Sequence, residues 1–255
     1  MLRPKNNKTK PRIKHRPFLK WAGGKFRLTD DLNRVFPKRK QCLIEPFVGA
    51  GAVFLNSHFE RYILADINPD LINLFNIVKE NVDAYIEACK PIFFAENANT
   101  ADYYYAQRDA FNQSTDPFVR SVLFLYLNRF GFNGLCRYNS KNEFNVPFGA
   151  YKTHYFPEDE LRYFAHKAQS AVFLCADFQQ TFELADKHSV IYCDPPYAPL
   201  AQDTNFTGYA GNAFGLEHQK NLAECAKKAQ KEKQISVVIS NHDTKFTREI
   251  YKGAK

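Results

Sequence analysis

The apolar run Val190-Ile191-Tyr192-Cys193 ends in Asp194-Pro195-Pro196-Tyr197. Prolines carry no N–H to continue a strand ladder, and they fix φ, so this tip is stiff. A stiff carboxylate, a carbonyl without a competing N–H and a phenol ring suit a small planar guest. If that guest is a base with an exocyclic amine, Asp194 and the Pro195 carbonyl can both accept hydrogen bonds from its nitrogen. Those bonds draw the lone pair out of conjugation with the ring and make a poor nucleophile adequate. Tyr197 offers a face for stacking. The plain alternative, an Asx-Pro turn closing a strand, explains the prolines but not an acid placed at a strand tip.

Two further stretches have spacing that could hold a nucleoside. Glu45-Pro46-Phe47-Val48-Gly49-Ala50-Gly51 follows a short apolar strand and opens a helix. Glycines there let backbone approach a ligand and leave helix N–H groups facing it. Asp66 ends the next strand, where an acid can accept both hydroxyls of a ribose. A dinucleotide fingerprint would need a third glycine near position 54, but Phe54 stands there, which weakens a nicotinamide or flavin reading. Phe18-Leu19-Lys20-Trp21-Ala22-Gly23-Gly24-Lys25 holds the sole tryptophan and lacks the Ser/Thr and spacing of a phosphate-binding P-loop. Lys25 could meet a carboxylate instead, or be a solvated charge beside a core Trp21.

These residues require a frame. Short buried strands are expected at Leu43 to Glu45, Tyr62 to Asp66, Ala171 to Leu174, Val190 to Cys193 and Ser236 to Ile239. Helices are expected at the glycine turn, from Pro69 to Lys90 and from Leu216 to Lys233. Strands alternating with helices predict an α/β fold on a mostly parallel sheet. Residues 91–165 break the alternation. Asp102 to Gln113 and Asp116 to Phe130 look helical, with Asp116-Pro117 a good cap and first-turn pair. Asn128 to Tyr155 then mixes Gly, Asn and aromatics with Arg129, Arg137, Lys141 and Lys152 against Glu143. It reads as an inserted recognition region.

Bulk properties narrow the class. The net charge is +8, and Arg3, Lys5, Lys8, Lys10, Arg12, Lys14 and Arg16 supply most of it, so residues 1–16 read as a flexible polyanion-binding or solubilising tail. The six cysteines show no C-x-x-C pair, which argues against a zinc site or a disulfide framework and fits a reducing cytoplasm. No apolar run approaches a membrane span.

With F-L-K-W-A-G-G-K, E-P-F-V-G-A-G, L-A-D-I-N, D-P-P-Y and I-S-N-H-D (residues 239–243) in this order, the chain resembles the Dam family of DNA adenine methyltransferases from about Phe18 onward. The resemblance implies a Rossmann-like catalytic domain over residues 17–90 and 166–255, with a mainly helical target-recognition domain at 91–165. It also implies S-adenosylmethionine (AdoMet) as donor, S-adenosylhomocysteine as product, and the adenine amine of double-stranded GATC as acceptor, reached by base flipping. Trp21, Lys25, Phe47, Gly49, Gly51, Asp66, Asp177, Phe178 and Asp194 would surround the cofactor. Asp194, Pro195 and Tyr197 would hold the target base. Lys20, Asn133, Leu135 and Arg137 would read bases, with Pro147 against a thymine methyl, Phe132 wedged into the duplex, and Arg129 and Lys152 also on the DNA. Phe132 and Ala150 depart from the Tyr and the basic residue expected there, removing a hydroxyl contact and one phosphate contact. The chain stops at Lys255, where the family continues into a further strand pair, which predicts an open sheet edge. A cytoplasmic or nucleoid monomer with no metal is expected, methylating by direct in-line transfer. The rivals are an RNA base methyltransferase sharing D-P-P-Y and an inactive remnant that occupies GATC.

Overall fold

The computed structural model describes residues 13–198 and 214–254. Five parallel strands, β1 (Cys42–Glu45), β2 (Arg61–Asp66), β3 (Ala171–Cys175), β4 (Ser189–Cys193) and β5 (Ser236–Ile239), lie in the order β3-β2-β1-β4-β5. Sequence-adjacent strands run outward from the centre in both directions, so the topology reverses between β1 and β4. In open α/β sheets, ligands bind outside the carboxyl ends of the strands at this switch point. Glu45 ends β1, and Asp194 immediately follows β4.

Side-chain alternation gives the sheet two buried faces. Leu43, Val190 and Tyr192 join a large aromatic core, whereas Cys42, Ile44, Ile191 and Cys193 join a smaller one. The short helix α1 (Thr29–Val35) precedes the sheet, and α2 (Ala52–Asn56) links β1 to β2. Five helices separate β2 from β3: α3 (Pro69–Glu80), α4 (Val82–Phe93), α5 (Ala101–Gln113), α6 (Pro117–Phe130) and α7 (Glu158–Ala168). The smaller core lies beneath α8 (Phe178–Glu183) and α9 (Leu216–Lys233), and α10 (Lys245–Ile250) follows β5. Among the described residues, no helix is long and apolar enough to cross a membrane.

The single helix expected from Pro69 to Lys90 is two. Asn81 (φ −151°, ψ 82°) donates its N–H to Ile77 and accepts from the Ala84 N–H through its side chain, ending α3 and capping α4. Apolar spacing persists through this corner because both helices bury residues in the same core, which is why periodicity alone misses it. The expected edges at 91 and 165 fall inside α4 and α7, and α6 packs on α3 and α5, so buried side chains run continuously from the sheet into this region. Most of the tail's basic residues lie outside the described residues. Lys14 pairs with Asp30 at 2.7 Å, and the His15 ring stacks on Tyr163 at 3.4 Å, so residues 13–16 are docked on the body.

After α6, residues 131–155 form an irregular hairpin held by the antiparallel bridges Gly131–Phe148 and Tyr138–Phe144. It is joined to the Gly-Gly-Lys loop by the buried Asn128. Its side chain accepts from the Lys20 N–H at 2.8 Å and donates to the carbonyls of Lys20 and Gly134, at 2.8 and 3.3 Å. Gly134 (φ +60°) makes that approach possible, since a Cβ there would lie 2.2 Å from the Lys20 Cβ.

Candidate active site

A cleft of about 1950 Å³ opens over the carboxyl ends of β1, β2 and β4. That exceeds the usual volume of a pocket for one small ligand, about 300–1,000 Å³, so a cofactor and a second guest fit side by side. Trp21, Lys25, Phe47, Gly49, Asp66, Asp177, Phe178, Asp194, Pro195 and Tyr197 all line it, although more than 170 residues of chain separate the first from the last.

At the centre, the Lys25 ammonium lies 2.7 Å from Asp194 Oδ2 and donates to the Gly23 carbonyl at 2.6 Å. It also sits over the Tyr197 ring, 4.8 Å from the centroid. Asp194 Oδ1 is buried and has no partner among the described residues. Burial raises the Asp194 pKa, and Lys25, with a smaller contribution from Tyr197, only partly offsets this. Burial alone would lower the Lys25 pKa, but its bond to Asp194 carries the net direction upward. Glu45, one strand away and 2 % exposed, is a second carboxyl with an unpartnered buried oxygen, Oε1. Burial, reinforced by Asp194, holds its pKa well above the usual carboxylate range.

Behind the Asp-Pro-Pro-Tyr loop, a relay of amides fixes its course. Gln219 on α9 donates to the Pro196 carbonyl at 2.7 Å and accepts from Asn241 at 2.8 Å. Asn241 Oδ1 accepts from the Ala198 N–H at 3.0 Å. His242 Nδ1 lies 2.8 Å from the Ala198 carbonyl, which can only accept, so Nδ1 carries the proton. The same imidazole packs edge-on to Tyr197, with centroids 4.8 Å apart.

The end of the cleft expected to hold a nucleoside is built around Asp66. Its Oδ2 accepts from the Gly49 N–H at 3.2 Å and its Oδ1 from the Asn68 N–H at 3.1 Å, leaving a lone pair on each oxygen for a diol. Burial raises the Asp66 pKa against these bonds. Gly49 (φ +49°) brings the backbone against the indole, and a Cβ there would be 2.7 Å from Trp21 Nε1. Phe47 and Phe178 stack on each other with centroids 5.8 Å apart. A ring between them would need about 7 Å, two van der Waals contacts, so a base must lie beside this pair and not within it. Asp177 lines the cleft and also caps α8 through the Gln180 N–H at 2.9 Å. Gly51 is not on the cleft wall; it occupies the left-handed cap position of α2.

The residues expected to meet DNA divide into two groups. Lys20 and Arg129 line the cleft edge, with Lys20 Nζ donating to the Arg129 carbonyl at 2.8 Å and lying 3.7 Å from the Tyr151 ring centroid. Burial, with Arg129 nearby, lowers the Lys20 pKa to about 8. The Arg129 Nε is buried without a partner among the described residues. Phe132, Asn133, Arg137, Pro147 and Lys152 lie outside the cleft and are exposed, while Leu135 is half-buried. Asn133 adopts a left-handed conformation (φ 53°). The Arg137 fork is braced by Asn145, through Nε to Oδ1 at 2.7 Å and Nη2 to the carbonyl at 3.0 Å.

Sequence reasoning missed Glu45 as a cleft group, although it opens the glycine motif. It also missed Ile67, which follows Asp66 on the cleft wall and is 66 % exposed. Its exposure is a property of the fold, and the sequence carries no mark of it. For Gln219 there is none either, since its partners are reached only through the fold.

Comparison with known proteins agrees with this geometry. Residues 21–255 match the model of the D12 class N6 adenine-specific DNA methyltransferases. The chain is 82% identical over 255 residues to a DNA adenine methylase of Haemophilus influenzae, covering all of this chain and 89% of the relative. It is 59% identical over 242 residues to the DNA adenine methylases of Vibrio cholerae and Escherichia coli strain K12, covering 95% of this chain and 87% and 86% of theirs. The chain therefore belongs to the D12 class N6 adenine-specific DNA methyltransferase family, and it is an adenine-specific DNA methyltransferase.

Proposed function

We propose that the protein methylates the exocyclic amino nitrogen of adenine in double-stranded GATC, on a base turned out of the duplex, using AdoMet as donor. The observation that carries this reading is the buried, unpartnered Oδ1 of Asp194 at the floor of a cleft large enough for two guests. A buried acceptor without a donor costs stability unless a ligand satisfies it. The adenine amine, bonded to Oδ1 and to the Pro195 carbonyl, is such a donor.

The residues also fit AdoMet. Asp66 retains acceptor capacity for two ribose hydroxyls, Gly49 and Trp21 form a close-packed wall, and Phe47, Phe178 and Ile67 give apolar surface for an adenine. When bound, AdoMet supplies a methyl group activated by its sulfonium. The protein aligns the amine, excludes water and polarises the nitrogen. Tyr197, fixed by His242, presents a ring face to the base. Residues 91–165 serve as the target-recognition element, with Arg137 and Asn133 reading base edges, Phe132 entering the duplex, and Lys152, Pro147 and Leu135 against the DNA.

Transfer of labelled methyl groups from AdoMet to GATC duplex, and none to GTTC, is the expected result. Equal rates on both would remove the sequence assignment. AdoMet binding without turnover would leave a GATC-occupying protein, and faster transfer to RNA would move the substrate class.

A further inference from the structure

The chemistry proposed for Asp194 demands that one specific oxygen be free and that the carboxyl be ionised, since a protonated carboxyl would present a donor to the amine. Burial works against ionisation here. Lys25 arrives from the Gly-Gly-Lys loop after the left-handed turn at Gly23 (φ +74°), and the Gly23 carbonyl aims its ammonium at Oδ2. We propose that Lys25 is a positioning residue for the methyl transfer: it pins Asp194 Oδ2 and keeps the carboxylate charged, reserving Oδ1 for the target amine. The inference rests on the reading of Asp194 as the amine's acceptor.

Lys25 is the main group that favours the charged form of Asp194, with the Tyr197 side chain a lesser one. Among the described residues, the titratable groups facing Asp194 are Lys25, Tyr197, Tyr192, Cys193 and Glu45. None but Lys25 brings a positive charge. Burial pushes the pKa values of Glu45, Tyr192 and Cys193 upward, which favours their neutral forms. His242 reaches Asp194 only through the Tyr197 ring. The Lys25 side chain is 9 % exposed and that of Asp194 is 20 % exposed, so solvent screens the pair only weakly.

The test reads the carboxyl directly, without cofactor or DNA. In protein labelled with ¹³C at aspartate side chains, the Asp194 resonance is the one missing from Asp194→Asn. Its titration midpoint should rise by about 1–3 units in Lys25→Met and in Lys25→Gln, and stay near wild type in Lys25→Arg. Amide spectra superimposable on wild type identify folded variants, and two neutral replacements guard against one that fails to fold. With AdoMet saturating, the acid limb of kcat for the neutral variants should move to higher pH, with partial rescue in alkali. An unchanged Asp194 midpoint in the folded neutral variants overturns the proposal. So does a loss of S-adenosylhomocysteine affinity with an unmoved acid limb, which would make Lys25 a ligand contact only. Failure of wild type to methylate GATC would sink the functional reading while leaving the titration result intact.

Discussion

The floor of the cleft and the exposed hairpin at 131–155 both present polar side chains, but under opposite conditions. Glu45, Asp66 and Asp194 are enclosed at strand ends, and burial pushes all three carboxyls upward in pKa. Phe132, Asn133 and Arg137 stand in solvent, on backbone braced by a few turns and two isolated bridges. A reacting group gains from a dry, fixed environment, because charge–dipole interactions there are strong and need no reorganisation. A reading group must be reachable along a duplex, and most of its affinity comes from phosphates whatever the sequence. Substitutions should therefore act on rate in the first region and on choice of sequence in the second.

The largest effect is expected from Asp194→Ala, which should slow turnover by about a hundredfold or more while DNA and AdoMet binding stay within a few fold. Retention of a tenth of the wild-type rate would show that the floor does not need its carboxylate. Asp66→Ala should then weaken AdoMet by about 1.5–3 kcal/mol, since charge-assisted bonds to the ribose are lost. Calorimetry giving unchanged affinity would detach Asp66 from the cofactor.

On the hairpin, Arg137→Ala should lose about 1–3 kcal/mol of discrimination at one base pair and leave the salt dependence of binding nearly unchanged. Rates on GATC and its single-base variants at two salt concentrations decide this; uniform weakening with a shallower slope would make Arg137 a phosphate contact. The smallest effect blurs the boundary between the regions. Lys20, with its pKa lowered to about 8, is charged below that pH and neutral above it. DNA affinity of the wild type should fall as pH rises through about 8, and Lys20→Met should flatten that dependence. An identical pH profile in both proteins would exclude Lys20 from the DNA.

The sheet was legible because strands are local. Each of the five apolar runs became a strand, and Asp66 and Asp194, at the ends of two of them, both line the cleft. The corner at Asn81 was hidden because helices on both sides share one core, so the apolar spacing carries no mark of the break. Lys25 could be given a carboxylate partner from sequence, but not Asp194 in particular, which is 169 positions further along the chain. The Gln219–Asn241–His242 relay was invisible for the same reason: amides bonded to a loop carry no pattern until the fold brings them together.

The joint at Asn128 and Gly134 bears on how such an enzyme could be given a new target sequence. Lys20, gripped by that joint, lies five positions before Lys25, which holds Asp194. The short Phe18–Lys25 strip thus touches both the hairpin and the floor of the cleft. Grafting a hairpin from a relative of different specificity would transplant half of a fitted contact. A successful chimera should have to carry its own residues 18–25 with it, and Gly134 along with them.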